Sequence, residues 1–496
     1  MKHYFKAFLV SFFVLQGNSI LAQVSSSVEL GGQAGTGKNA PFFHTANKYG
    51  ASTIDVFGGY LRGSVLKEMN VENENFDWGA GIDLIGSTGN YYSVFLQQFY
   101  VEGKWKMLDA MLGMKEYNHS FQNQRLSSGS LVWSGNARPI AEARIGIFDF
   151  YAIPGTNGWL QIKGELSFGR MIENKYLRHT FNYLYGGYAT DIWHHNKNIY
   201  FRSKENKPFV LTLSAQLTTE FGGHARLYDN GLLYHEQNAK PSLKSFWQAF
   251  FPSAGDMSAT VADQQYYYGN TLGSWSAQGE YKFRNQSRLH AYFEWFFEDA
   301  SGMGKMNGFD GLWGLEYELN NSSVISNILI EYLQTTNQGG PIHFSPTNDN
   351  SGSVIQGSHA TGHDNYYVHQ FYNGWSHQGM TIGNPLVQSP VYNKNGYLQT
   401  LHNRIKAIHV GIGGHFSRNL DYRLLANYLI SWGTFDVPVM NPVHNASAMI
   451  ELSYQNPRLK GFRFTGSTSF DHGKLYGDNW GVSLSVRKVF NINCNK

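Results

Sequence analysis

The chain holds a single cysteine in 496 residues, Cys494, so no intrachain disulfide can brace it and its stability must come from hydrogen bonding and packing. Basic and acidic side chains nearly cancel, 39 against 36, and loss of Lys2 and Lys6 with an export signal would bring them closer still. Such balance gives no general attraction to nucleic acid or to an anionic polymer, and no nucleic-acid partner is expected. Long apolar runs are missing as well. Past residue 22 nothing approaches the roughly 20 apolar residues of a membrane-crossing helix, which argues against a helical inner-membrane protein. No G-x-S-x-G elbow marks a hydrolase nucleophile, and the scattered Ser and His residues have no diagnostic order.

What the chain has in surplus is aromatic: 31 Tyr, 34 Phe and 12 Trp make 16% of the residues, although the mean hydropathy is only −0.37. Alternation reconciles the two, because averaging conceals strands with one apolar and one polar face. The last strand shows it: Trp480, Val482, Leu484, Val486 and Phe490 fall on one face, and Gly481, Ser483, Ser485 and Arg487 on the other. Leu160 to Phe168, Phe209 to Leu217, Trp275 to Phe283 and Leu289 to Phe297 repeat the pattern, the last two as a hairpin. A transmembrane antiparallel β-barrel follows, with lipid-facing and lumen-facing residues in turn and aromatic girdles at its rims. The rival is a secreted β-sandwich or propeller with carbohydrate-binding aromatics.

Lys2 and Lys6 precede an apolar run from Ala7 to Leu15 and a small-residue site at Leu21-Ala22-Gln23, so residues 1–22 read as a secretory signal peptide and 23–496 as one barrel domain. With Gln23 in place of Cys, no lipoprotein anchor is expected. Candidate strands start near Val28, Asp55, Phe76, Val94, Trp105, Arg144, Gly158, Ile199, Phe209, Gly273, Arg288, Gly311, Val324, Arg404, Asp421, Ala446, Lys460 and Asp478, about eighteen in all. Those near Val28, Arg144 and Ile199 are short enough to be plug or periplasmic structure instead. Lys163, Glu165, Glu280 and Lys282 should face the lumen, and Ile162, Leu166, Trp275 and Tyr281 should face lipid. Inserts near 117–139, 222–270 and 335–403 are too long for turns and should occlude the lumen and carry the functional surface. Within the second, Pro241 to Phe251 predicts a short helix with Phe246, Trp247, Phe250 and Phe251 on an apolar stripe.

The most distinctive string lies in the third insert, Asp364-Asn365-Tyr366-Tyr367 followed by Gly374-Trp375 and by Ile382-Gly383-Asn384-Pro385-Leu386. Together with Ala40 to Gly50, Leu96 to Glu102, Asn136-Ala137-Arg138-Pro139-Ile140 and His194 to Lys197, in that order along the chain, it resembles the capsule assembly protein Wzi family. The resemblance implies an occluded outer-membrane barrel of about eighteen strands that binds capsular polysaccharide at the cell surface; no catalytic role is expected. The chain departs from barrels that end on an aromatic residue by continuing from Phe490 to Lys496.

Candidate carbohydrate-binding residues are Asp364, Asn365, Tyr366, Tyr367, Tyr372, Trp375, Asn136 and Arg138. The rings would offer flat faces to sugar C–H groups, and the polar side chains would meet hydroxyls. The same rings could equally pack the insert onto the barrel mouth. His359, His363, His369 and His377 raise a metal reading, but glycines break the helix that their spacing needs and no Cys or Glu completes a zinc set, so neither metal nor cofactor is expected. Expected partners are capsular or surface polysaccharide, outer-membrane lipid and the barrel assembly machinery, with the protein a monomer. The alternatives are an outer-membrane porin or substrate channel, favoured by lumenal charges such as Arg62, Asp83 and Glu165, and an outer-membrane hydrolase.

Overall fold

The computed structural model describes residues 24–69, 75–118, 120–251, 269–298, 300–319, 324–341, 343–346, 358–361 and 363–492. The expected signal peptide lies outside them, as do parts of the second and third inserts. Eighteen strands form one antiparallel sheet. In chain order they are β1 Val24–Thr36, β2 Gly58–Lys67, β3 Phe76–Ser87, β4 Val94–Trp105, β5 Leu108–Met114, β6 Ala141–Ala152, β7 Leu160–Arg170, β8 Trp193–Ser203 and β9 Phe209–Phe221. They continue with β10 Asn270–Lys282, β11 Arg288–Phe297, β12 Gly311–Glu318, β13 Ile325–Gln334, β14 Ile405–Ser417, β15 Leu420–Gly433, β16 Pro438–Gln455, β17 Phe462–Gly473 and β18 Asn479–Ile492.

Each strand pairs with its neighbour in sequence, and β1 pairs with β18 over its whole length, from Val24 opposite Ile492 to Thr36 opposite Trp480. The sheet therefore closes on itself, and no open edge is left for water to satisfy. All eighteen sequence segments correspond to barrel strands, including the three short ones around Val28, Arg144 and Ile199, and β18 runs two residues beyond Phe490 before its last pair.

Alternation governs the wall. On β7, Glu165 and Ser167 are buried inward while Ile162 and Leu166 point out; on β10, Trp275 and Tyr281 are exposed outside, opposite in parity to Glu280 and Lys282. The outer surface is an apolar belt of residues such as Leu61, Ile82, Leu112, Leu213, Ile330 and Leu484. Trp105, Phe209, Tyr281, Phe416 and Phe490 are exposed near one rim, and Trp275, Trp313, Phe470 and Trp480 near the other. That is the pattern of a lipid-embedded barrel with two aromatic girdles. Among the described residues no helix is long and apolar enough to cross a membrane.

The connections differ sharply in length between the two ends. At the end where β1 begins they are short, such as Lys106-Met107 and Arg418-Asn419, whereas 37–57, 115–140, 171–192, 222–269 and 335–404 all leave from the opposite end, here called the outer mouth. Short periplasmic turns and long exterior loops are the rule for such barrels.

A single substitution tests the lipid-facing register. Leu484 sits mid-strand on the outer face, so Leu484→Arg should cost about 2–4 kcal/mol in unfolding titrations from lipid bilayers, and Leu484→Ala clearly less.

Candidate functional site

The barrel is filled from the outer mouth by three chain segments that interlock. The short helix Phe42–Thr45 is tied to the wall by Asp471, whose carboxylate accepts from Phe42 N at 3.0 Å. The 117–139 insert descends deepest: Arg423 on β15 donates to the Arg125 carbonyl, and His409 Nε2 on β14 donates to the Leu126 carbonyl, at 2.8 and 2.7 Å. Gly411 is required beneath it, because a Cβ there would stand 2.7 Å from the Leu126 oxygen.

Three inward acids on consecutive strands hold the same insert. Glu294 on β11 accepts from Ser130 Oγ at 2.7 Å and from the backbone N–H groups of Leu131 and Val132 at 2.9 and 3.3 Å. Glu331 on β13 accepts from Ser127 Oγ and Ser128 N, at 2.6 and 2.7 Å, and from the Tyr292 hydroxyl. Glu316 on β12 accepts from Asn123 Nδ2 at 2.7 Å. Elsewhere the lumenal charges cross-link one another, as Arg62 does with Asp83 and Glu116 at 2.5 and 2.9 Å and Arg423 with Glu451 at 2.8 Å.

The third segment, 363–403, lies across the second. Ser134 N and Oγ donate to Ile382 O and Gly383 O, and Asn384 Nδ2 donates to Ser128 Oγ and to Gly129 O. At Gly383 a Cβ would collide with both the Tyr367 hydroxyl and the Leu131 carbonyl, so only glycine permits the crossing. Between the three segments remains a cavity of about 30 Å³, lined by Phe42, Asn47, Arg125, Ser128, Pro385 and Arg423, which is room for one water.

Against this geometry the eight candidate residues divide. Tyr366, Tyr367, Tyr372, Trp375 and Asn136 are buried in the plug. Tyr366 receives hydrogen bonds at its hydroxyl from Asn307 Nδ2 and Gly339 N, and its ring meets Phe296 edge-on at 4.6 Å. The Tyr367 hydroxyl donates to Leu131 O and accepts from Asn384 N; the Trp375 indole donates to Val132 O at 2.7 Å. Asn136 donates to Thr381 O at 2.9 Å and accepts from Asn47 N at 3.1 Å. Their ring faces and amides are thus spent inside the protein, which gives them the packing role rather than a free sugar-facing surface.

Asp364, Asn365 and Arg138 are only half-buried. Asn365 Nδ2 donates to Asp436 Oδ2 at 2.5 Å, while Arg138 donates to Gln378 Oε1 at 2.7 Å and stacks on Phe95 at 3.6 Å. Burial lowers the Arg138 guanidinium to about 10. Of the histidines raised for a metal, the side chain of His359 lies outside the described residues, His369 packs on Tyr372, and His377 Nδ1 donates to Arg138 O at 3.0 Å. No group of three or more possible metal ligands occurs among the described residues.

Sequence reasoning missed Glu294, Glu316 and Glu331. The signal for them was their parity, which places all three inward on consecutive strands. It also missed a patch at the outer mouth built on the exposed Tyr185 and the half-buried Tyr397. There Tyr185 stacks on Tyr397 at 6.4 Å and 28°, Asn395 Nδ2 donates to the Tyr185 hydroxyl at 3.0 Å, and Asn182 Nδ2 donates to Asn395 O at 3.0 Å.

No protein-family model matches the chain, and no curated protein does. Among solved structures it is similar to Wzi of Escherichia coli, described as an outer-membrane carbohydrate-binding β-barrel involved in group 1 capsule assembly. The TM-score is 0.55 at 13% identity, over 93% of this chain and 83% of that one. OccAB2 of Acinetobacter baumannii follows with a TM-score of 0.48 at 8% identity, over 95% and 98%, and OprD of Pseudomonas aeruginosa with 0.44 at 9%, over 96% and 97%. At these identities the likeness is one of fold: the chain is a barrel of the outer-membrane kind.

Removing the Glu294 carboxylate leaves the Leu131 N–H buried without its acceptor, at about 1–3 kcal/mol, and leaves Val132 N with Ser130 Oγ alone. Glu294→Ala combined with Glu331→Ala should therefore produce ion-conducting openings in planar bilayers that the wild type lacks.

The plug should also loosen in acid. Burial lowers His369, His377 and His402 to about 4 from 6.5, so the undocked chain protonates first and each histidine costs stability as pH falls from 6.5 to 4. Burial raises Glu173, which accepts from Gln378 N, to about 7 from 4.5, and this favours the docked state as pH falls through that range. Burial also lowers His44 to about 4 and raises Asp310, which accepts from Gln338 N at 2.7 Å, to about 6, so four histidines oppose two acids. Hydrogen-exchange protection of residues 366–378 should fall below about pH 6, and His369→Gln with His377→Gln should flatten that dependence.

Proposed function

We propose that this protein is a closed, non-catalytic barrel of the bacterial outer membrane that binds surface polysaccharide, of the capsular class, and helps to keep it at the cell exterior. The observation that carries the reading is where the family-like strings lie. Ala40 to Gly50, Asn136 to Ile140 and Asp364 to Leu386 are far apart in sequence, yet Tyr49 N donates to Gly135 O, Arg138 Nε to Gly50 O and Asn136 Nδ2 to Thr381 O. Gln97 Nε2 of the Leu96 to Glu102 string donates to Tyr49 O, and His194 packs between Trp133 and Trp375. Three of the strings resembling the Wzi family thus build the plug and the other two lie on wall strands that touch it, and a plugged barrel suits holding a polymer outside better than passing a solute through.

The glycan contact is assigned to the outer mouth. Tyr185 and Tyr397 supply the flat apolar faces and Asn182 and Asn395 the hydroxyl partners, with the half-buried Asp364, Asn365 and Arg138 as further polar contacts. The carbohydrate binding described for the Escherichia coli barrel supports the ligand class.

Tyr185→Ala with Tyr397→Ala should lower affinity for polysaccharide purified from the host's surface by about tenfold to thirtyfold, at roughly 1 kcal/mol per ring, and should release polymer from cells at unchanged protein level. Unchanged binding together with steady conductance of the wild type would favour a channel instead. By contrast, Tyr366→Ala, Tyr367→Ala and Trp375→Ala remove buried rings at about 3–5 kcal/mol each and should disrupt the plug itself.

A further inference from the structure

On β7 to β10 the outward face changes character near the outer mouth. Lower down it presents exposed apolar residues such as Ile199 and Leu213, but higher up the outward positions are Phe168, His195, Lys197, Thr219, Phe221 and Thr271, and His195 and Phe221 are fully buried. A helix on the outside of the barrel covers them. Ser242 caps this helix, Leu243–Phe250, by accepting from Ser245 N at 3.2 Å. Phe246 meets Phe168, Trp193 and Phe221 at 5.1 to 5.2 Å, and Phe250 lies over His195 at 5.5 Å. Lys197, an outward lysine, donates to the Phe250 carbonyl, where the negative end of the helix dipole meets its charge.

The flank of the helix beside this covered face is apolar and uncovered: Leu243 is 92% exposed, Trp247 66% and Phe251 50%. It lies on the same outer side of the wall as the exposed Leu213 and Trp275. Lys240 and Lys244 are exposed beside it, and no acidic residue occurs from Gln237 to Phe251.

We propose that this external helix lies in the outer leaflet of the membrane, with Leu243, Trp247 and Phe251 among the acyl chains and Lys240 and Lys244 binding the phosphate of a lipid headgroup. An aromatic tip flanked by lysines at a helix lying along the interface is the arrangement that binds anionic lipid surfaces. The helix would thereby shield Lys197 from hydrocarbon and tether the 222–251 insert, independently of any polysaccharide.

The test uses the full chain with Cys494→Ser, spin-labelled at Leu243→Cys, Trp247→Cys or, as a control at the outer mouth, Lys394→Cys. The protein is reconstituted in phosphatidylcholine bilayers with or without a diphosphorylated glycolipid. Labels at 243 and 247 should collide more with oxygen than with a water-soluble nickel chelate, and the label at 394 the reverse. Lys240→Gln with Lys244→Gln should reduce retention of the phosphorylated lipid at least fivefold. The proposal is overturned by dominant nickel collisions at 243 and 247, by shielding of both from either reagent, as a second copy of the chain would give, or by lipid retention unchanged in the double variant.

Discussion

Three carboxylates inside the barrel decide what kind of barrel this is. A wall of eighteen strands encloses a lumen wide enough for water, and nothing in the sheet itself would close it. Glu294, Glu316 and Glu331 fill the gap by presenting acceptors to an insert whose backbone N–H groups and Asn123 amide would otherwise lose water without replacement. Removing such an acceptor leaves buried donors that cannot recover their solvent. Once the 117–139 insert is held there, its carbonyls and side chains form the seat for 363–403. The aromatic plug therefore depends on the acids rather than the reverse.

The wall was legible in the sequence because its physics is periodic. Lipid on one side and plug on the other impose a period of two, and all eighteen segments read that way are strands. The lumenal orientation of Lys163, Glu165, Glu280 and Lys282 follows from the same rule. The plug has no period. Tyr366, Tyr367 and Trp375 sit among Gly, Asn and His, a composition that suits an exposed binding loop as well as an interior, and only the distant partners Phe296, Leu131 and Val132 decide between them.

The predicted helix near Trp247 shows a similar division. Its existence and apolar stripe were readable, and Ser242 to Phe251 bears this out. Its place on the outside of the wall was not, because that depends on Phe168 and Lys197 some fifty residues or more upstream, at outward positions where lipid was the expected neighbour.

The closure of β1 on β18 has a bearing on how the molecule can be assembled. Lys38 and Asn479, which bond beside those strands, are 441 residues apart, and the plug is stitched from pieces near 42, 130 and 380. Contacts of such separation make for slow folding, since the chain must lose its freedom before the contacts reward it. The acids that capture the plug face inward on strands in the middle of the sheet, so the insert must be threaded while the cylinder is still an open ribbon or enter through the outer mouth after the seam is sewn. Either order makes the last strand a checkpoint: a chain truncated before it has neither a finished wall nor a full set of walls for its plug to lean on.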